Sequence, residues 1–323
     1  MPDSPPALGR EWLLTEQDLA ATVSELRAGG LVGLPTETVY GLAADAANEA
    51  AVSKIFALKG RPADHPLIVH IAAPEHLQLW ASALPSAAWE LAERFWPGPL
   101  TMILHKHPRV STLVTGGQQT IGLRIPAHPM ALQVLHAFGG GLAAPSANRF
   151  GHVSPTTAQH VRDEFGAGLP RVLDGGACQV GLESTILDLT QTPPRVLRPG
   201  MLDLQAVRAL LPGLQFGAIA RSPRVSGALA SHYAPRTPAE LVASEQLQAR
   251  AAELQAEGMQ VQILGLDAEV RSAKHYATQL YRTLRALDQA GGDRILIEMP
   301  PEDGAWLAVW DRLQRAVANT RQG

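Results

Sequence analysis

The chain has 323 residues, a formal net charge of −3, 46% hydrophobic and 18% charged residues, and one cysteine. That length accommodates two domains with a sizeable buried core. The charge balance argues against a nucleic-acid binder that works by bulk electrostatics, and a lone Cys178 excludes an internal disulfide or a thiolate-rich zinc site. No apolar run reaches the ~18 residues of a membrane span, and the polar, proline-rich N-terminus lacks the basic-then-apolar pattern of a signal peptide. The expected location is the cytoplasm.

Helical and strand patterns alternate along the chain. Thr15 with Asp18 starts a helix carrying Leu19, Val23 and Leu26, and Gly29-Gly30 ends it. A short apolar strand, Leu31–Leu34, is closed by Pro35. Asn48 caps a second helix with Val52, Ile55 and Phe56 on one side and Gly60 as its stop. Further strands are expected at 67–71, 100–104, 121–125, 142–144, 186–189 and 196–197, with helices near 86–95, 129–137 and 157–164. Residues 217–238 carry Gly, Ser, Pro and Arg with little apolar periodicity, which reads as a solvated linker or as a long loop lying over a site. The β/α rhythm then returns, with strands at 241–243, 261–264 and 294–298 and helices at 273–287 and 306–318. The expected organisation is an α/β domain over 10–216, a linker or lid over 217–238 and a small α/β domain over 239–323.

Several chemistries are missing from the sequence. There is no G-x-x-x-x-G-K-[ST] loop, no G-x-G-x-x-G after a strand, no H-E-x-x-H and no G-x-S-x-G elbow. Four other clusters are richer than a core or a loop requires. Pro35-Thr36-Glu37-Thr38-Val39-Tyr40-Gly41 puts two hydroxyls and a carboxylate after a buried strand, as a capping turn or as a ligand site at a strand's carboxyl end. Lys59-Gly60-Arg61-Pro62, followed by His65 and His70, sits past a helix C-terminus, where two cations either complement the helix dipole or await phosphates. In Thr120-Ile121-Gly122-Leu123-Arg124-Ile125, alternation turns Arg124 away from the core face. An arginine in an apolar strand needs a partner, either an internal acid or a carboxylate ligand. Last, Ala144-Pro145-Ser146-Ala147-Asn148, Ser154, Glu183-Ser184-Thr185 and Arg198-Pro199-Gly200 place small hydroxyl residues beside apolar strands, as turns or as phosphate and ribose contacts.

In order along the chain, these clusters resemble the threonylcarbamoyl-AMP synthases in their long form. Pro97-Gly98-Pro99-Leu100-Thr101, the linker motif His232-Tyr233-Ala234-Pro235 and Asp311-Arg312-Leu313 belong to the same pattern. The resemblance implies a YrdC-like twisted mixed sheet with flanking helices, followed by a small Rossmann-like α/β domain. It implies that ATP, L-threonine and bicarbonate are converted to threonylcarbamoyl-AMP, with pyrophosphate leaving, and that a partner complex passes the threonylcarbamoyl group to tRNA. It places L-threonine on Thr38, His70, Arg124, the backbone at Ala144, and Ser184. It places ATP on Lys59, Arg61, His65, Thr120, Ser146, Ser154, Arg198 and Tyr233. Lys59 and Arg61 serve as charge stabilisers, and Mg²⁺ accompanies the nucleotide on ligands the sequence does not assign. Tyr233 within 217–238 favours the lid over the solvated linker. No stable nucleic-acid binding and no membrane partner are expected. Two competitors remain at this point: a carbamoyl-adenylate former for another acceptor, and an RNA-binding protein with a concave basic surface.

Overall fold

The computed structural model describes residues 12–227, 232–266 and 272–318. The proline-rich N-terminal residues, and 228–231 within the linker segment, lie outside these. The chain runs α1 (Glu16–Arg27), β1 (Val32–Leu34), β2 (Gly41–Asp45), α2 (Glu49–Lys59), β3 (Ile68–His70), α3 (Leu77–Trp80), α4 (Ser86–Phe95), β4 (Leu100–His105) and β5 (Thr120–Arg124). It continues through α5 (Pro129–Phe138), β6 (Leu142–Ala143), α6 (Ala158–Phe165), β7 (Thr185–Asp188), β8 (Arg195–Arg198), α7 (Leu204–Leu210) and β9 (Gln215–Phe216). After the linker come β10 (Ala239–Val242), α8 (Leu247–Ala256), β11 (Val261–Leu264), α9 (Ala273–Ala290), β12 (Arg294–Glu298) and α10 (Leu307–Ala316).

The helix starts follow side-chain chemistry: Thr15 accepts from Asp18 N–H and Asn48 from Ala51 N–H, each satisfying a first-turn donor. Strands β1–β9 form one mixed sheet in the order β1-β2-β6-β3-β5-β4-β7-β8-β9. Within it β3/β5, β4/β7 and β8/β9 run parallel and the other neighbours antiparallel. Alternation along β2 serves both faces. Leu42 and Ala44 join the cluster built with Val52 and Ile55 of α2, while Ala43 joins the cluster of Leu26 from α1 and Val134 from α5. Each such fully buried Leu or Ile stabilises the fold by about 1.5–3 kcal/mol.

The second sheet, β10-β12-β11, is wholly parallel. Its central strand is buried on both faces. Ile295 and Ile297 pack with α9 and α10, and Leu296 packs with α8, which is why β12 reads as an unbroken apolar run. Among the described residues no helix is long and apolar enough to cross a membrane.

The two domains share one apolar cluster: Tyr276, Ala277, Leu280, Tyr281 and Leu284 of α9 pack with Val39, Val153 and Leu182 from loops of the first domain. Gly181 lies at this contact with φ +77°, and a Cβ there would come within 2.5 Å of Ala277 O and 2.6 Å of Thr278 Cα. Gly181→Ala is therefore expected to cost at least ~2 kcal/mol in denaturant unfolding. Gly258→Ala, at φ +89° with nothing nearby, isolates the backbone term at ~1 kcal/mol. Equal costs for the two would show that α9 does not seat closely here.

Candidate active site

The carboxyl ends of β3 and β5 bring the first two groups together. These strands are parallel, and His70 is the register partner of Arg124. Both side chains are buried. Arg124 Nη2 lies 2.6 Å from Glu37 Oε1, Nη1 lies 2.9 Å from Thr38 Oγ1, and Nε donates to Gly98 O at 3.2 Å. The arginine thus has the internal acid that its apolar strand requires. Nη1 and Nη2 still carry a second N–H each, and Arg124 lines an adjoining cavity. His70 is pushed down to about 3 by burial and then by Arg124, so it is a neutral imidazole near pH 7.

The turn between β1 and β2 supplies Thr38. Thr36 Oγ1 donates to Val39 O at 2.6 Å and accepts from the N–H groups of Thr38 and Val39 at 3.2 Å. One hydroxyl closes the turn, and the Thr36–Thr38 hydroxyl pair at 2.9 Å aims Thr38 at Arg124. The opposite wall comes from the loop after β6, tied to β2 through Leu42 N→Pro145 O at 2.7 Å and Ala147 N→Tyr40 O at 2.8 Å.

At the end of α2, Gly60 takes φ 62°, and the N–H groups of Gly60 and Arg61 bond back to Ala57 O and Phe56 O. This cap separates the two cations. Arg61 reaches the cavity and bonds Pro66 O at 2.9 Å and Ser226 Oγ at 3.1 Å. Lys59 turns inward and donates to Ser146 O and Asn148 O, both at 2.5 Å, bracing the loop that carries Ser146. Its ammonium is held well below the usual lysine range by burial and then by Arg61. Arg198, at the end of β8, bonds Ser184 O at 2.9 Å, Ser184 Oγ at 3.1 Å and Ser226 O at 2.9 Å. Thr101 of β4 fixes that serine through a 2.7 Å hydroxyl pair. Among the described residues no hydrogen bond joins Lys59, Arg61 or Arg198 to a carboxylate, and the two guanidinium groups meet neutral acceptors at the cavity.

Thr38, Arg61, His70, Arg124, Ala144, Ser146, Ser184, Arg198 and Tyr233 all border one cavity. Four other expected residues do not line it. Lys59 braces from below. Ser154 is buried and donates to Glu183 Oε1 at 2.6 Å. His65 stands at the rim, edge-on to the Phe150 ring at 5.2 Å. Thr120 borders an adjoining slot on the far side of Ser226.

The linker closes the cavity through Ser226, Gly227, His232 and Tyr233. Tyr233 is almost fully buried at φ 62°, a costly conformation for a non-glycine residue, and among the described residues its hydroxyl has no hydrogen-bond partner. That hydroxyl occupies the space a Gly227 Cβ would need, alongside Arg198 Nη1. The Tyr233 ring stacks on Tyr281 at 5.7 Å and lies under the Arg312 guanidinium at 5.3 Å.

Arg312 belongs to the motif Asp311-Arg312-Leu313, which by itself assigns it no role. The residue is fully buried. Its Nε meets Glu183 Oε2 at 2.8 Å and its Nη1 meets Pro199 O at 3.0 Å, while Tyr281 Oη donates to the same Glu183 oxygen at 2.9 Å. The second domain thereby holds the residue before Ser184, the residue after Arg198 and the linker tyrosine. Burial pushes the Glu183 carboxyl up, but Arg312, Arg198 and the hydrogen bonds from Ser154 and Arg312 outweigh it and hold the group down at about 2.

Comparison with known proteins agrees with this architecture. Residues 24–200 match the family model of Sua5, YciO and YrdC, described as telomere recombination, and residues 201–318 match that of the threonylcarbamoyl-AMP synthase C-terminal domain. The threonylcarbamoyl-AMP synthase of Pyrococcus abyssi is 40% identical, over 90% of this chain and 91% of its own. That of Bacillus subtilis is 37% identical over 93% of each. The crystal structure of P. abyssi Sua5 complexed with L-threonine superposes with a TM-score of 0.88 at 38% identity, covering 94% of this chain and 95% of that one.

Proposed function

We propose a reaction for this cavity from one premise: the chain belongs to the threonylcarbamoyl-AMP synthase family. It joins L-threonine, bicarbonate and ATP into threonylcarbamoyl-AMP, releasing pyrophosphate and water, and is thus a nucleotidyltransferase. The observation that carries this reading is the convergence of buried Arg61 and Arg198 on neutral acceptors at the cavity that Arg124 and His70 also line. Buried cations without acids favour an anionic ligand, and a nucleotide triphosphate supplies one.

In this reading the free N–H groups of Arg124 clamp the threonine carboxylate in a fork, and Thr38 and Ser184 orient its polar groups. Neutral His70 adds a hydrogen-bonding group without adding charge that would repel the amino group. The threonine nitrogen takes up the bicarbonate carbon with loss of water, forming a carbamate. A carbamate oxygen then attacks the α-phosphorus, and the bond to the β-phosphate breaks. Arg61 and Arg198 neutralise the phosphate charge, and the loop braced by Lys59 presents Ser146. The step needs positioning and charge rather than a protein nucleophile. Tyr233, whose phenol burial keeps protonated, donates its unpartnered hydroxyl to the nucleotide, and the linker keeps water from the mixed anhydride.

Magnesium enters on the phosphates of ATP, as part of that substrate. Among the described residues no three His, Cys, Asp or Glu side chains are grouped to hold a metal, and Glu37 and Glu183 are engaged by Arg124 and Arg312. We place the reaction in the cytoplasm, upstream of a complex that transfers the threonylcarbamoyl group to tRNA. The test is pyrophosphate release from ATP, expected only when threonine and bicarbonate are both present. Release that ignores threonine would move the chain to another acceptor, and RNA affinity without ATP turnover would replace the enzyme by a binding module.

A further inference from the structure

Beside the cavity lies a narrow slot bordered by Ile68, Ile103, Thr120, Gly122 and Ile186, which opens on its outer side past Gln118. Gly122 leaves the floor flat, since a Cβ there would meet Ile103, Thr101 and Ile68 at 3.2–3.4 Å. The linker peptide fills this slot. Gln118 Oε1 accepts from Arg224 N–H at 2.7 Å, and Gln118 Nε2 donates to Arg224 O at 3.1 Å. The Val225 side chain packs with Ile103, Ile186 and Leu197. Ser226 O then sits on Arg198 at 2.9 Å, and Ser226 Oγ on Arg61 at 3.1 Å.

From one end to the other, the three residues present a paired donor and acceptor edge, an apolar body and oxygens on two guanidinium groups. A purine nucleotide presents the same order. A carboxamide pairs in two-point fashion with adenine N6–H and N7, the contact Gln118 now makes to a peptide. A second bond, Gln118 Nε2 to Thr115 O at 3.3 Å, fixes which end of the amide donates. That orientation suits adenine and sets the carboxamide oxygen against guanine, which has the acceptor O6 where adenine has N6–H. We propose that Gln118 reads the adenine of ATP in this slot, and that the peptide Arg224–Ser226 stands in for the nucleotide until ATP displaces it. The proposal rests on the reading of the cavity as an ATP site and adds to it the residue that sets base specificity.

The test measures ATP and GTP binding by calorimetry without threonine, on the full chain. Gln118→Ala is expected to weaken ATP about tenfold and to lose most discrimination against GTP. Gln118→Arg places donors where guanine offers two acceptors, O6 and N7, and adenine offers one acceptor beside N6–H. It is expected to shift the GTP-to-ATP affinity ratio roughly a hundredfold towards GTP. Val225→Gly empties the slot without touching Gln118, and ATP is expected to bind about three- to tenfold more tightly because the closed form competes less. A base preference unchanged in Gln118→Arg overturns the assignment of Gln118. ATP affinity unchanged or weakened in Val225→Gly overturns the stand-in. Threonine does not enter these measurements, so Gln118-dependent base preference together with no threonine-dependent pyrophosphate release would overturn the proposed reaction and leave the base subsite standing.

Discussion

Arg124→Ala is expected to lower kcat/KM for L-threonine by about 10²–10³-fold while moving the KM for ATP only a few-fold. Removing one partner of a buried, hydrogen-bonded charge pair costs about 2–5 kcal/mol, and each ~1.4 kcal/mol is tenfold. Two losses combine. The threonine carboxylate loses its fork, and Glu37, left buried without its 2.6 Å partner, repels it. Arg124→Lys is expected to recover only part of the activity, because an ammonium cannot engage Glu37, Thr38 and a ligand in one plane. The stranded Glu37 also destabilises the fold, so the informative comparison is Arg124→Ala with Glu37→Gln. The double variant should regain stability in urea without regaining threonine use. If it regains threonine use, Arg124 serves only the fold. If KM rises equally for both substrates, the arginine is not specific to the amino acid.

Arg312→Met is expected to destabilise the protein by about 3–5 kcal/mol, although the residue lies in the second domain and outside the cavity. It leaves Glu183 buried beside the cavity with Tyr281 and Ser154 but no cation in hydrogen-bonding contact. Arg312→Met with Glu183→Gln should recover most of that loss in denaturant unfolding. A single variant as stable as the parent would show that the second domain does not hold this carboxylate. The pH dependence follows from the same pair. The Glu183 carboxyl lies below its ordinary value of 4.5, at about 2. The folded state binds the proton less readily than the unfolded chain, so this contribution is fully present above about pH 4.5. It is lost as pH falls from there towards 2. The double variant should show a shallower loss over that window.

Much of the fold was legible because its signals are local. Thr15 and Asn48 cap where short polar side chains precede apolar periodicity, and Gly60 ends a helix where a left-handed turn is required. Among the elements missed, two strands have weak local signals. Strand β2 is written Gly-Leu-Ala-Ala-Asp, poor in β-branched residues, and is a strand because β1 and β6 pair with it on either side. Strand β9 is two residues long and takes its shape from β8.

The candidate site divides in the same way. From the sequence alone came the residue types the chemistry needs: an arginine in an apolar strand, cations at a helix end, hydroxyls after strands and a tyrosine in a linker. Periodicity and turn chemistry act over a few residues, so these could be read directly. Only the tertiary structure decided which of them face one another. It turned Lys59 beneath the Ser146 loop while Arg61 entered the cavity, and it paired Arg124 with Glu37. It also brought Arg312 across from the second domain to hold Glu183 and cover Tyr233. A buried charge accepts whichever partner the packing brings within about 3 Å, and that partner can lie more than a hundred residues away.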